Sequence, residues 1–452
     1  MFRRANLFLM LTAAFLLACG CRTVQEARKI QEGKETPPGE RTVTAEEAGL
    51  LPGQAKTLAE LEQIAQQYHP TVRQAQLSVE TAQLALETAK AGYQPSASMS
   101  LGYNRGTMNS DRHNTSTRTQ DSFNGSLNLS WTIYDFGIRD ANVKQAAANL
   151  QAAESALREA ECLAIYNVRK AYFELRRAQE LDQVAKLAVS QYQEHLDQVR
   201  YRREVGKGTP YEVTKAEVDL NQAQLSAITT ANDIDLGWAD LNQMLGLAEA
   251  PDYLLGEGEM QEYSLDVDTL MDKARNGGDA QTAILKSRIE AASQAIDKQI
   301  ANLYPSFTLS LGGSISGSHF GFPILWNISG AASLAQTLYA GGNKLRAIKE
   351  AAVNLQALRS QLAEREQKLY RNIRSAVLTA SRATKQLEVA LLSERQAKEN
   401  LDIVNEQFEV GKASSVDRTD AQVAYSKAQA SVVTARFDFQ EAHAALAFLI
   451  GE

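Results

Sequence analysis

Few residues in this 452-residue chain have a type and spacing that could do chemistry. The five histidines are scattered, with no metal-ligand spacing. The chain has no HExxH zinc helix and no GxSxG nucleophile turn. Gly206-Lys207-Gly208-Thr209 lacks the upstream glycine and the preceding strand of a phosphate-binding loop. Acidic pairs fall only on charged helix faces, and Cys162 sits in an alanine-rich helical stretch that reads as core. Three cysteines are too few for a disulfide scaffold. No catalytic residue, metal ligand or cofactor is therefore assigned. A net charge of −7 and a pI near 5.5 give no electrostatic footprint for nucleic acid.

One cysteine does have a chemical context. Arg3 and Arg4 precede an apolar run from Ala5 to Ala18, the pattern of a signal peptide too short for a membrane span. The run ends Leu16-Leu17-Ala18-Cys19. A small residue followed by Cys at that point resembles a bacterial lipobox, so a covalent lipid is expected on Cys19, with Cys21 the weaker candidate. Leu17 is bulkier than the usual residue there, and Gly20 offers no Asp to resemble an inner-membrane retention signal. Residues 1–18 then form the signal peptide. Residues 19–56, polar and carrying Pro37, Pro38 and Pro52, form a lipidated tether.

The remaining chain reads as two copies of one unit. A shift of 205 carries Tyr134 onto Tyr339, Gly137 onto Gly342, and Val205-Gly206-Lys207 onto Val410-Gly411-Lys412. The same shift carries Thr214, Ala216 and Val218 onto Thr419, Ala421 and Val423. Upstream, Tyr93-Gln94-Pro95 falls on Leu303-Tyr304-Pro305 at a shift of 210, so the first copy has the longer intervening loop. The copies span 57–247 and 265–452, with a linker at 248–264.

Each copy has the order helix, strand, strand, very long helix, helix. Strict apolar/polar alternation predicts strands at about 95–105, 122–134, 305–314 and 325–339. Their polar partners are nearly all uncharged, and no Lys, Arg, Asp or Glu occurs from Gln299 to Asn343. Strands apolar on one side and Ser/Thr/Asn on the other fit a transmembrane barrel, with Trp131, Trp326, Tyr103, Tyr134 and Tyr339 as its aromatic girdle. The alternative is a soluble β-sandwich. Four strands cannot close a barrel and open edges are not viable in lipid, so the chain must share its strands with further copies. Two copies give a filled eight-stranded barrel, and three give twelve strands and room for a conduit.

The long helices span about Ile138–Val205 and Asn343–Val410, with no interior Pro or Gly. At 1.5 Å per residue each is roughly 100 Å long. Val143, Leu150, Leu157, Ala164 and Ala171 recur every seven residues as a coiled-coil seam. Helices at Tyr211–Leu245 and Ser415–Ile450 pack back antiparallel after Gly206 and Gly411.

This duplicated order resembles the TolC family of outer-membrane efflux proteins, and the lipobox makes it most similar to the OprM-like or NodT-like lipoprotein branch. The strand exits Tyr134-Asp135-Phe136-Gly137 and Tyr339-Ala340-Gly341-Gly342 and the two Val-Gly-Lys turns carry the resemblance. It implies a mainly α chain with a transmembrane β portion. Three chains would form a twelve-stranded β-barrel continuous with a periplasmic α-helical barrel. It further implies an outer-membrane exit duct serving an inner-membrane RND- or ABC-type pump through a periplasmic adaptor. The adaptor-contact tip would be Val205, Gly206, Lys207, Val410, Gly411 and Lys412. The periplasmic gate would use Asp417 and Asp420, with Glu212 at the matching place in copy one. Six carboxylates around one opening would favour cations. Ala413 replaces the Arg common in the family, which leaves a salt-link lock without that residue. Arg200, Arg202 and Arg203 read as solvated. A protein-secretion duct and a non-channel coiled-coil envelope scaffold are the competing functions.

Overall fold

The computed structural model describes residue 27 and residues 43–50, 53–111, 114–206, 208–247, 253–256, 258, 260–317 and 325–452. Cys19, Cys21 and Lys207 lie outside the described residues.

A two-residue strand β1 (Ala55–Lys56) leads into α1 (Leu58–Tyr68) and α2 (Pro70–Ala91). Thr57 and Glu60 form a capping box at the start of α1. His69 is extended, as a residue before proline must be, and this breaks the helix where His69-Pro70 predicts. A hairpin of β2 (Ser96–Asp111) and β3 (Asn114–Tyr134) follows. Then come α3 (Ile138–Glu204), 67 residues long, and its antiparallel partner α4 (Pro210–Met244). The linker contributes β4 (Leu254–Leu255), which pairs parallel with β1.

The second copy repeats the order with α5 (Val267–Lys273), a π-turn at Ala274–Gly278, and α6 (Ala280–Ala301). The hairpin of β5 (Ser306–Gly317) and β6 (Leu325–Ala335) leads to α7 (Asn343–Glu409), again 67 residues, and α8 (Ser415–Ile450). The first hairpin runs farther than the alternation predicts, because Gly106–Asn109 continue its ladder against Thr117–Gln120 with mostly polar residues.

The four longer strands make one antiparallel sheet in the order β2-β3-β5-β6. Apolar positions align across it, with Leu129 opposite Leu311 and Trp131 opposite Leu309. Leu101, Leu129, Trp131, Leu311, Trp326 and Ile328 are all exposed. Among the described residues no second sheet covers them, so the β-sandwich alternative fails. Among the described residues no strand pairs with the outer edges of β2 and β6. Among the described residues no helix is long and apolar enough to cross a membrane.

Sheet and helices are fastened at their junction. Arg139 donates to Asp135 Oδ2 at 2.9 Å and to the carbonyls of Thr132 and Ile133, and its guanidinium lies 4.7 Å from the Tyr93 ring centroid. The main core packs Leu58, Leu61, Tyr172, Phe173, Leu175, Leu241 and Phe437 around the middle of α3. Val43 and Leu50, within the stretch read as tether, are buried in that core, and so is Tyr253 of the linker. A second core joins Leu270 and Met271 of α5 to Ile373 of α7 and Leu446 of α8.

The α3 seam differs in part from its prediction. Ala164 and Ala171 are buried, but Val143, Leu150 and Leu157 are only half-buried, and the buried stripe above them is Ala141, Ala148 and Ser155. The smallest side chains mark the face of closest helix approach, whereas the heptad of larger apolar residues lies beside it. Cys162 is half-buried rather than core, and burial pushes its thiol pKa up.

Candidate functional site at the helical tip

Both hairpins end alike. Gly206 and Gly411 each adopt φ +75°, the left-handed conformation that terminates a helix and that a side chain would strain. The Gly206 N–H donates to Arg203 O at 3.0 Å, and the Gly411 N–H to Phe408 O at 3.1 Å. The valines before them are left out in solvent, Val205 at 49 % and Val410 at 69 % exposure. Thus Val205, Gly206, Val410, Gly411 and Lys412 are brought to matching ends of two equally long helices.

The return helices start with capping boxes, and two of the expected gate carboxylates are part of them. Glu212 accepts from the Thr209 N–H at 2.7 Å, and Asp417 from the Ser414 N–H at 2.9 Å. In turn, Thr209 Oγ1 and Ser414 Oγ accept from the backbone N–H groups of Glu212 and Asp417. Hydrogen bonds from the Ser414 side chain and backbone hold the Asp417 pKa below the usual carboxylate range. Asp417 and Asp420 are both exposed on α8. Lys215 of α4 donates to Asp219 at 2.6 Å, and that bond and the nearby charge of Asp420 help hold its ammonium protonated.

Between the two hairpins lies a network that no sequence motif announced. His195 of α3 is buried, with Nε2 3.1 Å from Ser415 Oγ and 3.3 Å from Thr419 Oγ1 of α8. Its Nδ1 is 3.4 Å from an Arg418 guanidinium nitrogen. Arg418 also donates to Gln198 of α3 and, at 2.8 Å, to Asn405 of α7. Its guanidinium lies 5.3 Å from the Phe408 ring centroid, and that of Arg202 lies 4.5 Å from it. Arg202 is thus stacked rather than merely solvated. Arg200 pairs with Glu217 at 2.8 Å.

Burial, reinforced by the Arg418 charge and opposed by Asp219 and Glu212, pushes the His195 pKa down to about 4. The ring is therefore neutral at physiological pH, and an Arg418 N–H facing Nδ1 fits the tautomer with the proton on Nε2. The contributing residues come from three helices and lie up to 224 positions apart. The one visible sign was a histidine eleven residues before a helix-ending glycine, which composition alone could only class as scattered.

Among the described residues no His/Cys/Asp/Glu group is placed to hold a metal. The family model for outer membrane efflux proteins matches residues 61–247 and 283–452. The chain belongs to this family. It is an outer-membrane channel protein of the TolC superfamily, a conduit and not an enzyme.

The family match removes the envelope-scaffold alternative. Among its relatives, Outer membrane protein TolC of Vibrio cholerae is 24% identical over 412 residues, covering 85% of this chain and 88% of that protein. The alkaline protease secretion protein AprF of Pseudomonas aeruginosa is 22% identical over 362 residues, covering 77% and 75%. The CusC structure superposes with a TM-score of 0.77 at 16% identity, covering 92% of this chain and 95% of that one. The Campylobacter jejuni CmeC outer membrane channel gives 0.75 at 17%, covering 87% and 85%. These likenesses support the mainly helical architecture with its antiparallel sheet.

Proposed function

We propose that three copies form the exit duct of a tripartite efflux system, passively conducting small molecules that an inner-membrane pump delivers. One observation carries this: a charge-poor sheet with two open edges runs directly into two helices of 67 residues each. In lipid such a sheet must close through other copies. Twelve strands leave a lumen, and roughly 100 Å of helix gives the duct its periplasmic reach. The lipobox ending at Cys19 supports a lipid anchor there and membership of the OprM-like or NodT-like branch. Val205, Gly206, Lys207, Val410, Gly411 and Lys412 form the surface that meets a periplasmic adaptor, the exposed valines supplying its apolar contact.

Asp417 and Asp420 ring the periplasmic gate, with Glu212 near it, and their charge makes the channel prefer cations. The His195–Arg418 network holds the gate shut, with Arg418 supplying the cation that Ala413 does not. The purified protein in planar bilayers tests this reading. Cation-preferring conductance by an oligomer is expected, with the preference weakened in Asp417→Ala/Asp420→Ala. Failure to form any conducting oligomer would refute the duct, and unchanged selectivity in the double variant would refute the gate assignment.

The similarity to AprF favours a second reading, a duct for protein secretion. Export assays in a strain lacking its own ducts separate the two. Restored drug resistance without protein release supports efflux, and release of a secreted protein supports the alternative.

A further inference from the structure

One residue at the sheet–helix junction carries a strain that its counterpart avoids. Among the described residues Phe136 is the one non-glycine residue with a left-handed backbone, at φ +55°. A side chain in that conformation crowds the following carbonyl, so an ordinary residue holds it at a cost in free energy. The matching position of copy two is Gly341, at φ +59°. Both hairpins then pass through a second left-handed glycine, Gly137 or Gly342, into their long helices. The turn itself asks for glycine, and copy one places a benzyl group there instead.

The ring is displayed rather than buried. Arg139 holds the turn from behind, donating to the buried Asp135 from its backbone N–H and from Nε. Phe136, by contrast, is 42 % exposed. It stacks on Tyr304 at 5.3 Å between ring centroids and meets Tyr134 edge-on at 4.8 Å. Both tyrosines are exposed.

This cluster belongs to the apolar face of the sheet. A bulge between Thr132 and Tyr134 leaves Ile133 as an extra residue and sets Tyr134 opposite Phe307. Strict alternation would have turned Tyr134 to the polar side with Thr132. From Phe307 the apolar rows continue through Trp131 and Leu309, Leu129 and Leu311, and Gly125 and Ile315, and end at Phe123 and Tyr103. The stretch between Ile133 and Phe123 covers roughly 33 Å of strand, or roughly 25 Å across a bilayer at the usual barrel tilt. That is the height of a lipid-facing band. The next pair outward on the same face is charged, Arg105 with Asp121 at 3.5 Å. Phe136, Tyr134 and Tyr304 therefore stand at the opposite border, on the helix side. Trp131 directs its polar edge the same way, its Nε1–H donating to Tyr93 O at 2.9 Å. Rings with one wet and one apolar side suit the headgroup layer.

We propose that Phe136, with Tyr134 and Tyr304, is a lipid-docking face. It seats in the headgroup layer of the leaflet nearer the helices and fixes the depth of the first hairpin, and the membrane contact offsets the backbone strain. This rests on the membrane-spanning sheet proposed above and names the surface that sets its height.

Fluorescence quenching tests it in the full chain reconstituted into phosphatidylcholine vesicles. Trp131→Phe/Trp238→Phe/Trp326→Phe supplies a dark background. Phe136→Trp then reports on the junction, and Leu311→Trp, midway up the apolar rows, reports on the band. Position 136 should be quenched about twofold more by lipid brominated near the glycerol than by lipid brominated near the chain ends, and position 311 the reverse. Lipid quenching at 311 but not at 136 overturns the docking face and leaves the spanning sheet standing. In that case quenching of 136 by aqueous acrylamide means a solvent-facing ring, and shielding from both quenchers means that protein covers it. Stronger quenching of 136 from the chain ends also overturns the face. Lipid quenching at neither position overturns both claims. If Phe136→Trp fails to insert, Tyr304→Trp in the same background decides.

Discussion

Acid should loosen the tip through His195. The ring is buried against Ser415, Thr419 and Arg418, and its pKa is held near 4, whereas an exposed histidine titrates near 6.5. In the gating proposed above, the His195 network is a latch that holds the tip shut; its histidine pKa is depressed, so the unlatched state binds the extra proton. The latch is at full strength above about pH 6.5 and loses it progressively as pH falls toward 4. At pH 5 an exposed ring is about 97% protonated and the latched ring about 9%. That difference is worth about 2 kcal/mol relative to neutral pH, and roughly 1–2 kcal/mol once partial solvent screening is allowed for. For each copy, the ratio of unlatched to latched tips should therefore rise about 5- to 30-fold between pH 7.5 and pH 5, and a channel of three copies that opens as one should respond more steeply still. Asp417, held below the usual carboxylate range, stays charged through this window. Single-channel recording at the two pH values reads this as the ratio of open to closed channels. His195→Gln keeps a polar side chain without a titrating ring, and its ratio should change less than twofold. Equal pH responses in wild type and His195→Gln would refute the latch.

Three further outcomes follow from packing. Asp279 is buried, and Arg365 donates to it through Nε at 3.1 Å and through a second guanidinium nitrogen. Asp279→Ala strands that guanidinium and should cost about 3–5 kcal/mol, read from the urea midpoint of the helical signal. Burial raises the Asp279 pKa, but Arg365 and Thr282 outweigh it and leave it lowered. This pair's stability is therefore present above the ordinary carboxyl pKa and lost as pH falls below it. Gly278→Ala would set a Cβ 2.1 Å from the Ile450 carbonyl oxygen. It should cost about 1–3 kcal/mol and release the Lys273–Glu452 contact, seen as faster amide exchange at the end of α8. Gly411→Ala forces a side chain into φ +75° and should cost about 1–2 kcal/mol while the fold survives, as circular dichroism melting would show.

The parts legible in the sequence were those with a period. Alternation found all four long strands, and the run of residues without Pro or Gly found both long helices, α3 and α7, to within a residue of their ends. Glycine position found the two reversals because only a left-handed cap suits them. Contacts between distant elements carry no period. Val43 and Leu50 sit in a polar, proline-rich stretch, and only the fold shows them filling a core. Asp417 and Glu212 illustrate the converse. The family resemblance implied a charge ring at these positions, and the fold shows that their spacing from the glycines also suits a capping residue at the third helical position. His195 was invisible because its partners come from other helices.

In the proposed duct, the unequal hairpins would matter most outside the cell. The β2 and β3 strands have 16 and 21 residues, against 12 and 11 for β5 and β6. A tilted strand of about 9–11 residues already crosses a bilayer, so the second ladder just suffices and the first continues beyond it. A trimer would therefore show three tall crests of β2–β3 ladder to anything arriving from outside. Antibodies, phage and proteases would meet the crests around Asp111 and Asn114 first. That rim is where an epitope could be grafted or trimmed far from the helical tip at Gly206 and Gly411.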